Sequence, residues 1–206
     1  MYVITADQRR SRRSADAVVD ILNSINSQRS ADLVLPAERT AGDEIQMLIH
    51  TARATVEIAL ELTRTEQWSV GIGIGTISNL LGDTVRATDG HAFYSARTAV
   101  SLAKRIPARC AVRCDERSDL ANEVQPFLEL LIQLRTRRTG NGWELHDLLT
   151  SEITQVAAAK KLGISPQSAS QRARVAGLDT EREAIFAISS LLRKIDNQIS
   201  LQGEIS

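Results

Sequence analysis

The segment Trp68-Ser-Val-Gly-Ile-Gly-Ile-Gly75 constrains this chain more than any other. Apolar residues rich in Val and Ile read as a strand, and glycine at every second position marks a place where another backbone must approach closely. A helix packing close onto Gly71, Gly73 and Gly75 is one way to meet that demand. The neighbouring sequence supplies candidates for the rest of such a layer.

Met1–Ala6 is a short apolar run ending at Asp7, and a polar stretch, Gln8–Arg13, leads into a helix. Val18, Ile21, Leu22 and Ile25 recur at i, i+3, i+4 and i+7, one apolar face. Leu33-Val-Leu35 and Ile45–Ile49 read as two strands of a hairpin turning at Ala41-Gly42-Asp43-Glu44. Thr51–Thr63 is helical, and Asp89 precedes a helix with Phe93, Ala96, Val100 and Ala103 on one stripe. A strand at Ala108–Cys114 closes this half, with Cys110, Val112 and Cys114 on one face as small buried residues.

The predicted order is β-α-β-β-α-β-α-β. Its first six elements form the split βαβ pattern of ferredoxin-like folds, and the expectation is an α+β domain over residues 1–117 with helices on one face of a mainly antiparallel sheet. From Ser118 the pattern becomes helix only, an all-α domain over residues 118–206. An apolar stripe from Leu120 to Leu134 runs through Pro126, which predicts a kink or restart. Thr139-Gly-Asn-Gly142 is the clearest break, and four short helical stretches are expected after it.

Within them, Gln155–Arg172 carries a specific pattern inside a helix-turn-helix expected at about residues 154–175. Ala159 is small where two helices would cross, and Gly163 occupies the turn where φ is positive. Ile164 would plug the space between the helices, Ser165 is an N-cap, and Pro166 sits at the first helical position. The pattern resembles the helix-turn-helix of sigma-factor region four, whose second helix enters the major groove. Candidate contacts with double-stranded DNA are Lys160, Ser165, Gln167, Ser168, Ser170, Gln171, Arg172 and Arg174. Gln suits adenine, Arg suits guanine, and Ser and Lys suit phosphates. Ala169 and Ala173 are smaller than the residues such helices often bury, which predicts loose packing. Thr180 and Glu183 look like a capping box for a last helix over Thr180–Ile199. Its stripe Ile185, Ile188, Leu192, Ile195 and Ile199 is either core or the seam of a homodimer.

Net charge decides how DNA could be held. Lys+Arg and Asp+Glu both number 25 in 206 residues, so no global field draws the protein to nucleic acid. Between Glu152 and Arg174, however, one acid faces Lys160, Lys161, Arg172 and Arg174, a local +3. Aromatic residues at 3% are too few for a single-strand stacking platform. With 43% hydrophobic residues and no apolar run near the roughly 18 needed to span a bilayer, no membrane partner is expected. The apolar N-terminal strand precedes its arginines, the reverse of a signal peptide, so a cytoplasmic protein is expected.

Two acids suggest chemistry in the first half. Asp7 ends the first strand and Asp43 lies at the hairpin tip, where this strand order can bring both carboxylates to one Mg²⁺. Backbone amides of Gln8–Ser11 at a helix start, with Arg9, Arg10 and Ser11, could hold the phosphates of a nucleotide.

Asp7, Gly42-Asp43-Glu44, Gly71-Ile-Gly-Ile-Gly75 and Thr88-Asp89-Gly90-His-Ala92-Phe93-Tyr-Ser-Ala96-Arg97 together resemble the SatD family over roughly residues 1–115, and a C-terminal helix-turn-helix is also typical of that family. The same half is similar, more remotely, to the GGDEF diguanylate cyclases and class III nucleotide cyclases. That resemblance implies metal binding by Asp7 and Asp43, an acid following the hairpin aspartate at Glu44 as a catalytic candidate, and an anion contact at Arg97. Ala41 stands where the GGDEF hairpin has its first glycine, and Ile45 where it has phenylalanine. Two functions are expected. One is a DNA-binding transcriptional regulator whose cyclase-like half senses a nucleotide or dimerises. The other is a Mg²⁺-dependent nucleotidyl cyclase or transferase carrying a DNA-binding module.

Overall fold

A computed structural model describes residues 1–9, 17–78, 82–151 and 153–203. The first half holds β1 (Tyr2–Gln8), α1 (Val18–Gln28), β2 (Leu33–Arg39), β3 (Glu44–Ile49), α2 (Ala52–Arg64), β4 (Trp68–Ile74), α3 (His91–Ala103) and β5 (Cys110–Arg113). The element order is the one the periodicity predicts. The helices α4 (Ser118–Thr136), α5 (Gly140–Thr150), α6 (Gln155–Lys161), α7 (Pro166–Val175) and α8 (Leu178–Gly203) follow. The molecule is therefore of mixed α+β class.

The five strands lie in the order β2-β3-β1-β4-β5. β1 is antiparallel to both β3 and β4, with Asp7 opposite Glu44 on one side and Ser69 on the other. β5 runs parallel to β4, reached through α3. The sheet is thus mixed, and here the expectation of helices on a single face fails. Val3, Thr5, Gly71 and Gly73 share one face by register, and Cβ atoms added at Gly71 and Gly73 would come within 2.2 Å of Val100 N and 2.1 Å of Ala92 O in α3. The other face, with Ile4, Ala6, Ile45, Met47, Val70 and Ile72, is equally closed at 0% exposure. The helices α1 and α2 lie against β1–β4 to close it. A parallel crossover needs its own helix, and α3 fills the face that α1 and α2 leave bare.

The free edge of β5 is covered by one side chain of α4. Gln125 accepts from Val112 N–H at 2.9 Å and donates to the Cys110 carbonyl at 3.2 Å. Edge groups left bare would invite pairing with other strands. Cys110 and Cys114 are free, buried thiols as expected, and burial pushes the Cys110 thiol up to about 12.

The chain forms two compact units, Met1–Glu129 with Ile185–Ser206, and Leu130–Ala184. Both α4 and α8 contribute to each. Three local expectations are corrected. Pro126 lies inside a continuous α4. Only α5, α6 and α7 are short, and α8 runs for 26 residues. Thr180 caps nothing, because α8 starts at Leu178 directly after Gly177, whose φ of +66° ends the preceding helix. Ile188, Leu192, Ile195 and Ile199 are each at most 4% exposed, so this stripe is core within the chain and not a seam. On the same stretch Asp196 accepts from the Met1 amine and lies against the Tyr2 hydroxyl, whose pKa is raised, first by burial and then by that carboxylate.

Candidate functional site

In the unit Leu130–Ala184, α5, α6 and α7 pack around Leu145, Ala158 and Ala173, with partly buried leucines such as Leu148 and Leu162 against them. Thr154 caps α6 by accepting from Ala157 N–H at 3.2 Å, and Ser165 caps α7 by accepting from Ser168 N–H at 3.1 Å. The turn between them is a Schellman motif. Gly163, at φ +65°, donates to the Lys160 carbonyl, and Ile164 N–H reaches the Ala159 carbonyl. Ala158, Ala159, Ala169 and Ala173 are all buried, with Leu145 of α5 in the same cluster. Alanines on both helices let α6 and α7 pack in direct contact, so small side chains here serve closeness, not looseness. Ile164 is half-buried.

Because α7 buries Ala169 and Ala173, its opposite side is fixed by helical geometry. Gln167, Ser170, Gln171 and Arg174 stand on that side, all exposed. Ser165, Ser168, Lys160 and Lys161 are exposed as well. Arg172 differs. It is half-buried and turned back onto α5, where its guanidinium meets Glu144 at 3.3 Å and the Asn141 carbonyl at 3.5 Å. Beside it lies a cleft of about 540 Å³, walled by Gln167, Ser168, Gln171 and Val175 on one side and by Arg137 and Asn141 on the other. Arg137, Asn141 and Val175 escaped sequence reasoning. The first two precede the motif and meet α7 only through the fold, and Val175, the last residue of α7, is 73% exposed.

The unit is locked from beneath by charge. Glu181, 3% exposed, accepts from both Arg135 and Arg138, and Arg138 also donates to the Ala176 carbonyl at 3.1 Å. Both guanidiniums lie over the Trp143 ring, at 4.8 and 4.5 Å from its centre. His146 Nε2 stands 3.7 Å from Glu181, and its pKa is lowered, chiefly by burial and also by the two arginines.

In the other unit, the first acid expected at a metal ion has a partner of its own. Asp7 accepts from Lys104 Nζ at 2.6 Å, so a Mg²⁺ at that carboxylate would have to displace an ammonium. The backbone of Asp43 does come beside β1, its carbonyl accepting from Gln8 N–H at 3.1 Å. Glu44 is engaged by the Thr40 hydroxyl at 2.7 Å. Only part of the expected phosphate cradle lies among the described residues. α1 begins at Val18, Gln8 N–H is spent on Asp43, and Arg9 N–H and Nη1 bind the Gln67 and Glu66 carbonyls, each at 2.7 Å. Arg10 and Ser11 lie outside the described residues. Arg97 lies 5.4 Å over the Tyr94 ring, about two turns along α3 from Lys104. Tyr94 in turn donates to Asp89 at 3.0 Å.

The glycine strand and the Asp89–Arg97 segment prove to be two halves of one joint. Gly90 caps α3 with φ +142°, Phe93 is fully buried, and Ala92 and Ala96 are the residues whose backbones meet the glycines.

Comparisons with models of known protein families, with curated proteins and with solved structures find no match.

Among the described residues no helix is long and apolar enough to cross a membrane.

Proposed function

We propose that this chain is a double-stranded DNA-binding regulator that inserts α7 into the major groove. The observation that carries the reading is the division of α7 into two sides. It buries only alanines and holds Gln167, Ser170, Gln171 and Arg174 outward. A turn capped at both ends fixes its angle to α6. Lys160, Lys161 and Arg174 supply positive charge for phosphates on a chain with no net charge. The first unit, with the strand order β2-β3-β1-β4 that a ferredoxin-like split βαβ pattern gives, is read as a nucleotide-sensing or dimerisation platform of cyclase-like type. The resemblance to the SatD family agrees with this pairing of halves.

The test is fluorescence anisotropy of the full chain on labelled duplexes at rising salt. Binding that weakens with salt, with a log–log slope of about −0.9 per neutralised phosphate, supports the proposal. Arg174→Ala should cost about 1–3 kcal/mol on a preferred sequence. No binding at low salt, or a slope near zero, refutes it.

The rival is a Mg²⁺-dependent nucleotidyl cyclase or transferase. The Lys104–Asp7 pair weighs for binding over turnover. Pyrophosphate release from ATP or GTP with Mg²⁺ or Mn²⁺, abolished by Asp43→Asn, would reverse that order.

A further inference from the structure

The outward side of α7 carries a graded set of groups. Gln167 and Gln171 are one turn apart, Arg174 is one turn further, and Val175, 73% exposed, flanks Gln171 at the cleft. We infer that α7 reads a short site in which two A·T pairs stand one base pair apart and the second lies beside a G·C pair, with Gln167 and Gln171 recognising the adenines and Arg174 the guanine. This rests on the DNA-binding reading above and goes beyond it by naming the bases.

The chemistry follows from donor and acceptor patterns. A glutamine amide offers one donor and one acceptor side by side, which matches adenine N7 and N6 in the major groove; guanine offers two acceptors there and suits a guanidinium. Val175 has no hydrogen-bonding group, so against a base edge it favours the thymine methyl over a polar atom. Reach is consistent as well. From Gln167 to Gln171 the helix rises about 6 Å, about two base-pair steps of 3.4 Å, and from Gln171 to Arg174 about 4.5 Å, about one step.

The same geometry removes Arg172 from the reading set, although by residue type alone it equals Arg174. Its guanidinium lies against Glu144 and the Asn141 carbonyl. Arg137 and Asn141, on the far wall of the cleft, stand where the sugar–phosphate strand flanking the groove would pass. Arg172 and Glu144 thus shape that wall, and Arg172 is a positioning residue.

The experiment selects bound duplexes from a randomised pool with the full-length protein. It then measures the enriched site and its single-base variants by anisotropy, for the parent protein, Gln167→Ala, Gln171→Ala, Arg174→Ala and Arg172→Ala. All but Arg172 are exposed side chains, and matched circular dichroism and melting curves confirm each variant is folded. The expected result is an enriched site with two A·T pairs one base pair apart and a G·C pair beside the second. Discrimination of about 5- to 150-fold at one A·T position should vanish in each glutamine variant, and at G·C in Arg174→Ala. Arg172→Ala should weaken all sequences alike. Enrichment without A·T preference, or discrimination that survives both glutamine substitutions, overturns the inference while leaving DNA binding intact. Failure to retain any duplex at low salt overturns the DNA-binding reading itself.

Discussion

Glu181→Gln tests whether the helical unit is held together by buried charge. In the native unit one carboxylate, 3% exposed, faces two guanidiniums that are each 7% exposed. The isosteric amide keeps the shape but changes the balance in two ways. It removes the charge that offsets two buried cations, and it turns one acceptor oxygen into an NH₂ donor aimed at an arginine donor. Removing one partner of a buried ion pair costs about 3–5 kcal/mol, because the remaining charge stays desolvated and unpaired. The cation–π contacts with Trp143 persist and return only about 1–2 kcal/mol already present in the parent. For a unit of this size each kcal/mol moves the melting temperature by about 4–8 °C, so a drop of at least about 12 °C is expected. Differential scanning calorimetry reads it directly, with Asp179→Ala as the control. The Asp179–Arg182 pair is 78% and 75% exposed and should contribute well under about 1 kcal/mol. A loss below about 1 kcal/mol for Glu181→Gln would show that water reaches these arginines and that the argument from burial is wrong.

Three further outcomes are expected. Gly73→Ala places a methyl 2.1 Å from the Ala92 carbonyl and 2.3 Å from Ala96 N, both backbone atoms, so denaturant unfolding should report a loss of about 3 kcal/mol or more. Gly140→Ala, with nothing within 4 Å, should be neutral or slightly stabilising, and equal effects at the two sites would refute the joint. His146 has a lowered pKa in the fold, so the unfolded chain takes up its proton first; its contribution is full above pH of about 6.5 and is lost as pH falls below that value. Melting temperatures between pH 7.5 and 5.5 should therefore fall less steeply in His146→Gln than in the parent, and parallel curves would sink the assignment. Finally, Cys110 should resist alkylation in the native state at pH 8, since burial raises its thiol; labelling as fast as in denaturant would contradict the packed edge at β5.

The element order was legible because periodicity is local. An apolar stripe at helical spacing, a glycine before an N-cap serine and a Gly-Asp turn each declare themselves within a few residues. What stayed hidden is non-local. Nothing near Asp7 announces that Lys104, 97 residues away, takes its carboxylate, so the acid reads as a metal ligand in the sequence and as half of an ion pair in the fold. The same holds for Arg172 and Arg174, two identical side chains on one helix that differ only in what lies opposite. Glu144 can be assigned to one of them only after α5 is folded against α7. Thr180 and Glu183 show the converse error, a valid local signal overruled by Gly177 three residues earlier.

The two glycine-bearing motifs of the first half show why a pattern of this kind need not mean catalysis. Gly71 and Gly73 on β4, and Gly75 just after it, are glycines because α3 sits nearly on the backbone there, and Ala92 and Ala96 are small for the same reason. Gly90, at φ +142°, turns the chain into α3 beside Ile77, where a Cβ would lie 2.5 Å from Ile77 Cα. The glycines and the small residues Ala92 and Ala96 of these two segments are thereby accounted for by one close helix–strand contact. By contrast, no packing role accounts for Gln167, Gln171 and Arg174, which are exposed, polar and aligned along one side of a helix fixed at both ends.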